Sequence, residues 1–127
     1  EKFKTILDDS EMDFKISHMW IISQRESEWG FLHSHTGSIS GILYLEIPND
    51  MGGALAQDDK RRNLAGCISF AEGVPGMYRN AVKHVQPMKG DLYLFPAELM
   101  HTIYPFFGDG ERRSLSFNIN VIKSPKK

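Results

Sequence analysis

The strongest constraint on what this chain can fold into is its last long segment, Arg112–Lys123 (RRSLSFNINVIK). There Arg112, Ser114, Ser116, Asn118 and Asn120 alternate with Arg113, Leu115, Phe117, Ile119 and Val121. A strict period of two belongs to a β-strand with two unlike faces. Such a strand cannot stand alone: its N–H and C=O groups need neighbouring strands, and its apolar side needs a cover.

The rest of the chain supplies short segments of the same kind. Residues 14–23 (FKISHMWIIS) alternate Phe14, Ile16, His18 and Trp20 on one side and then turn wholly apolar, as a strand buried at one end does. His18, on that apolar side, reads as a hydrogen-bonded core histidine. Residues 38–47, rich in Ile, Leu and Tyr, form a strand that stops at Pro48. Further strands are expected at 64–70, 81–86 and 92–95, with another opening at His101. Between them lie a charged connection at 24–30, in which Trp29 reads as packing, a turn around Gly52 and Gly53, and a solvated basic stretch at 60–63. A loop at 71–80 carries Gly73, Pro75 and Gly76, and Lys89, Gly90 and Asp91 make a tight turn. The run GDGE at 108–111 is an Asp-Gly hairpin turn by its residues, 1–14 a short helix or loose arm, and SPKK a tail. Seven or eight short strands with almost no helix indicate an all-β sandwich or barrel, and a double-sheet jelly roll of the cupin type fits the count.

At 127 residues the chain is expected to be a single domain, 1–127. Fifteen basic against sixteen acidic side chains give a net charge of -1, which suggests neither a nucleic-acid stripe nor a polybasic membrane patch. Small-molecule or amino-acid side-chain partners are expected instead. No apolar run approaches the roughly 20 residues of a membrane span, and no signal peptide opens the chain. Cys67 is the lone cysteine, so no internal disulfide forms, and a reducing, cytoplasmic setting is expected.

His33 and His35 stand one residue apart just ahead of the 38–47 strand. On an extended chain, positions i and i+2 share a face, so two imidazoles can converge on one point. With His101 they could form a facial set on a metal that leaves positions open for catalysis.

Three stretches in this order, HSHTGSISGILYLEIP, GDLYLFPAELMH and ERRSLSFN, resemble the iron(II)- and 2-oxoglutarate-dependent oxygenases. The resemblance is to the branch with an H-x-H…SG-x-Y-Y-L motif, a G-D-L-x-L-F-P-S-x-L-x-H motif and a terminal R-x-S-x-S-F-N, and it runs from Trp20 to Ile122. It implies a double-stranded β-helix, Fe(II) as metal and 2-oxoglutarate as cosubstrate. It also implies hydroxylation of an unactivated C–H bond with release of succinate and carbon dioxide.

By the same resemblance, His101 corresponds to the distal metal ligand and His33 to the proximal one. Arg112 corresponds to the arginine that grips the far carboxylate of 2-oxoglutarate, Ser114 shares its R-x-S motif, and Tyr44 corresponds to a tyrosine that reaches the same carboxylate. The wider superfamily has H-x-D where this chain has His35. Either His33, His35 and His101 all bind the iron, or His35 is the proximal ligand and Gly37 stands where the carboxylate would be. Rival readings are a cupin-like three-histidine enzyme that uses no 2-oxoglutarate and a jelly-roll binding module with a degenerate site. If Tyr44 and Arg112 point inward, then Leu43, Leu45, Ile47, Leu115, Phe117 and Ile119 point outward and need a cover. Relatives use helices from an N-terminal region that this chain barely has, so a trimmed sequence or a homodimer is expected.

Overall fold

The computed structural model describes residues 12–52 and 62–123. Most of the expected N-terminal arm, Gly53 and part of the basic stretch after it, and the SPKK tail lie outside the described residues.

Among the described residues, eight strands run in the order β1 (Met12–Gln24), β2 (Gly30–His33), β3 (Ile39–Glu46), β4 (Ile68–Ala71), β5 (Val82–Val85), β6 (Leu92–Pro96), β7 (Met100–Ile103) and β8 (Arg112–Lys123). They form two four-stranded sheets, ordered β1-β8-β3-β6 and β2-β7-β4-β5, and every pairing is antiparallel. The nesting of partners, first with last, second with seventh, third with sixth and fourth with fifth, is that of one long hairpin rolled into a sandwich. This is the double-stranded β-helix, with no helix among the described residues long and apolar enough to cross a membrane.

The alternation of β8 holds in space. Arg112, Ser114, Ser116 and Asn118 are buried between the sheets, while Arg113 is exposed and pairs with Glu111. On β3, Ser40, Ile42 and Tyr44 face the same interior. The apolar core is small: Ile42, Tyr44, Ile68, Phe95 and Ile103. Truncating a residue such as Ile68 to alanine there should cost about 2–5 kcal/mol. On the outer side, a side chain at Gly41 would run into the Phe117 ring, which lies across it. Glycine there lets the ring pack flat on the sheet.

Four sequence expectations change. A bulge between Ile16 and His18 reverses the parity of β1, so Phe14, Ile16, Met19 and Ile21 face outward, whereas Trp20, Ile22 and Gln24 pair with the inward residues of β8. His18, at the bulge, is exposed, with its ring nitrogen beside the neighbouring Ser17 hydroxyl, so it is not a core histidine. Trp29 is exposed, with its ring against Phe31, instead of being packed inside. The Asp-Gly turn before β8 is a corner between sheets, because β7 and β8 are not partners; Gly110, at φ 116°, provides the left-handed bend.

Candidate metal and cosubstrate site

His33 and His101 are cross-strand partners on β2 and β7, so their imidazoles meet on one face. Their ring centroids are 4.4 Å apart. β2 ends at His33, and His35 lies two residues on, just past the paired strand. The segment after β2 is pinned at both ends: the His35 N–H donates to the Ala97 carbonyl at 2.8 Å, and the Ser38 N–H to the Ile119 carbonyl at 3.0 Å. The His35 ring then stands 4.9 Å from that of His33 and 5.1 Å from that of His101. One ligand nitrogen from each of the three lies within 4.8 Å of the other two.

The tautomers suit a metal. His33 Nδ1 lies 2.6 Å from the Phe31 carbonyl and His101 Nδ1 3.0 Å from the Leu99 carbonyl. A carbonyl can only accept, so each Nδ1 carries the proton and each Nε2 keeps its lone pair. Burial, together with the neighbouring histidines, holds His101 and His35 below the ordinary histidine pKa; for His101 the Leu99 carbonyl opposes the shift. Uncharged rings are the form that binds metal. His101 is buried, with Phe95 and Phe70 on one flank, His35 is half-buried under Trp20, and His33 opens to solvent. A cavity of about 70 Å³ lies beneath the cluster, bordered by Trp20, Ser40, Ser116 and Asn118. The Ser40 hydroxyl donates to Asn118 Oδ1 at 2.8 Å, so this polar wall is held in place.

Farther along the same interior sits Arg112, 0% exposed. Its Nη1 donates to Gln24 Oε1 at 2.5 Å and its Nη2 to the Tyr44 hydroxyl at 2.8 Å, with the guanidinium carbon 4.7 Å from the Tyr44 ring centroid. Both partners are neutral. Burial pushes the Tyr44 phenol up to about 12, with Arg112 pulling it back, so the hydroxyl keeps its proton and can donate it to a third group. Burial also lowers the Arg112 pKa, but an arginine remains charged at any ordinary pH. Among the described residues, the Arg112 Nε and the Ser114 hydroxyl are buried without a hydrogen-bond partner. A buried cation with an unused donor, a phenol able to donate and a free hydroxyl together make a receptor for a carboxylate. The donors at Arg112, Tyr44 and Ser114 suit the carboxylate of a ketoacid such as 2-oxoglutarate, and the three imidazoles suit a metal ion such as iron(II).

Residues 18–118 match the family described as "Putative 2OG-Fe(II) oxygenase". The chain belongs to this family. No curated protein matches it. Among solved structures it is similar to an oxidoreductase of the 2OG-Fe(II) oxygenase family from Burkholderia pseudomallei, with a TM-score of 0.63 at 12% identity. That similarity covers 94% of this chain and 50% of the other, so the chain spans half the length of that relative, and at such identity the likeness speaks for the fold. Within the family fold, the structure brings together His33, His35 and His101 in one group and Tyr44, Arg112 and Ser114 in another. A side chain at Gly37 would meet Asn120, Ile119 and Asn118 on β8. Gln24 was missed by the sequence reading because it lies at the end of β1, where only the cross-strand register with Arg112 reveals it. Trp20 was read as a strand residue, and nothing local marks it as a neighbour of His35.

Proposed function

We propose that this protein is an iron(II)- and 2-oxoglutarate-dependent dioxygenase that hydroxylates an unactivated C–H bond. The observation that carries the reading is the fully buried Arg112 with an unpartnered Nε, which shares one interior with three converging imidazoles. His33, His35 and His101 would hold the iron; their convergence favours the three-histidine set over the arrangement at Gly37. When bound, iron and ketoacid supply the redox chemistry: dioxygen is reduced by the electron pair of the decarboxylating ketoacid and the pair of the substrate C–H bond, giving succinate, carbon dioxide and an alcohol.

The chain's own residues provide position and charge. Arg112 neutralises the far carboxylate, the Tyr44 hydroxyl and Ser114 donate to it, and Gln24 keeps the guanidinium aimed inward. The Phe31 and Leu99 carbonyls hold two ligand imidazoles in the metal-binding tautomer. A cosubstrate-free, cupin-like enzyme could use the same histidines but leaves the buried arginine without a purpose. The deciding experiment is succinate release from 2-oxoglutarate with iron(II) and dioxygen present, across candidate substrates. No turnover and no 2-oxoglutarate binding would refute the reading.

We assign residues 1–127 to one oxygenase domain, acting in a reducing compartment such as the cytoplasm, where iron(II) and the free Cys67 thiol persist. The outer face of the β1-β8-β3-β6 sheet exposes Phe14 (66%), Ile16, Met19 and Ile21, with Leu92 and Leu94 on the opposite edge. So broad an apolar face is covered in solution by a second copy or by chain preceding β1.

A further inference from the structure

The two sheets part on the side away from His33, where their edge strands β5 and β6 leave a cleft of about 860 Å³. That volume falls in the range of sites for small organic ligands, roughly 300–1,000 Å³. Its walls are Phe70, Val85, Tyr93, Phe95 and Leu99, and its mouth carries Arg79, Lys83 and Glu72. Two cations against one carboxylate leave the mouth positive.

Strand register connects the cleft to the histidines. His33 pairs with His101, His101 with Phe70, and Phe70 with Lys83, so these four residues form one row across β2, β7, β4 and β5, on the inner face. With strands about 4.8 Å apart, the Lys83 backbone stands on the order of 10 Å from that of His101 along the row. Phe95 borders both the cleft and the small cavity under the histidines, and its ring is 4.9 Å from those of Phe70 and His101. An apolar wall therefore leads from Lys83, at the exposed mouth, toward the histidines. Arg79 is tied to the Val74 carbonyl through Nε and Nη2, whereas Lys83 makes no ion pair among the described residues.

We propose that this cleft is the substrate site and that it takes an apolar carboxylic acid. The carboxylate sits at Lys83 and the hydrocarbon body lies over Phe70, Leu99 and Phe95 toward the histidines. This rests on the oxygenase reading for the fate of the ligand, though not for its binding. A neutral hydrocarbon would leave the excess positive charge unused, and an amine would be repelled by it.

The test uses decanoate, decanol and decylammonium as probes, titrated calorimetrically into the full chain loaded with manganese(II). Decanoate is expected to bind best, with its methyl-end protons relaxed by manganese more strongly than those beside the carboxylate. Lys83→Met should bring decanoate down to the level of decanol. Lys83→Glu should weaken decanoate by about tenfold or more and favour decylammonium. Lys89→Met, whose lysine pairs with Glu46 outside the cleft, should change nothing. Decanoate affinity that is the same in Lys83→Glu as in the unaltered protein overturns the proposal, as does relaxation strongest at the carboxylate end. Lys83-dependent decanoate binding in a protein that takes up no manganese would refute the oxygenase reading and leave the ligand assignment standing.

Discussion

Replacing Arg112 by methionine should separate what this side chain does for the cosubstrate from what it does for the fold. Methionine roughly keeps the volume and removes the charge. In the unaltered protein, the guanidinium would meet the carboxylate through charge-assisted hydrogen bonds, each worth about 1.5–3 kcal/mol. A net loss of about 3 kcal/mol weakens 2-oxoglutarate binding by about a hundredfold. At a concentration one hundred times the original Kd, the cosubstrate stabilises the unaltered protein by about 2.7 kcal/mol and the variant by only about 0.4 kcal/mol. For a domain of this size, the melting temperature should rise on the order of 10 °C in the first case and about 2 °C in the second. Without cosubstrate the variant should melt within a few degrees of the original, because the partners left behind, Gln24 and Tyr44, are neutral and a desolvated charge has been removed. Thermal melts with manganese(II), with and without 2-oxoglutarate, measure both numbers. Arg113→Ala is the control, since Arg113 is exposed and pairs with Glu111. A full 2-oxoglutarate shift in Arg112→Met refutes the assignment, and a shift lost in Arg113→Ala instead puts the anchor on the wrong face of β8.

Tyr44→Phe should weaken 2-oxoglutarate less than Arg112→Met, by about tenfold in the same melts, because it deletes one donor and leaves the ring. His101→Ala should abolish manganese(II) binding measured by calorimetry, and His33→Ala and His35→Ala should each weaken it strongly; binding that needs only His35 of that pair would restore the arrangement at Gly37. The folded pKa values of His35 and His101 lie below the ordinary value of 6.5, so their contribution to stability is present above pH 6.5 and is lost as pH falls through the folded values. Metal affinity should decline over the same acid interval, and a metal titration from pH 7 down to 5 checks it. Phe14→Asp combined with Ile21→Asp should reduce self-association in sedimentation velocity if a second copy covers the outer sheet, and leave a monomer unchanged if preceding chain does.

The fold was legible because β8 alternates cleanly and turn residues punctuate the chain between short apolar runs. The resemblance placed Arg112 on the R-x-S motif, and the alternation set it apart from Arg113, since Arg112 shares its parity with Ser114, Ser116 and Asn118. Parity failed on β1, where one extra residue at the bulge moves Phe14 and Ile16 to the face opposite Trp20. Period counting assumes an unbroken ladder, and nothing in ISH announces a break. The convergence of His33 and His35 was legible from their i, i+2 spacing, whereas the hydrogen bonds that hold this segment, from His35 to Ala97 and from Ser38 to Ile119, reach far away in sequence. Gln24 and the row from His33 to Lys83 were out of reach for the same reason: each exists only once the strand register is known.

The nested pairing also implies an order of assembly. The β4–β5 hairpin closes the shortest loop, while β1 joins β8 by bringing Met12 opposite Lys123. Long closures carry the largest entropic cost and come late. His33 and His101 belong to the β2–β7 pair, but the Gln24–Arg112 contact needs the outermost pair. A chain whose first strand has come undone should therefore still gather its histidines while its anion receptor lies open, and amide exchange in β1 should report how often that happens.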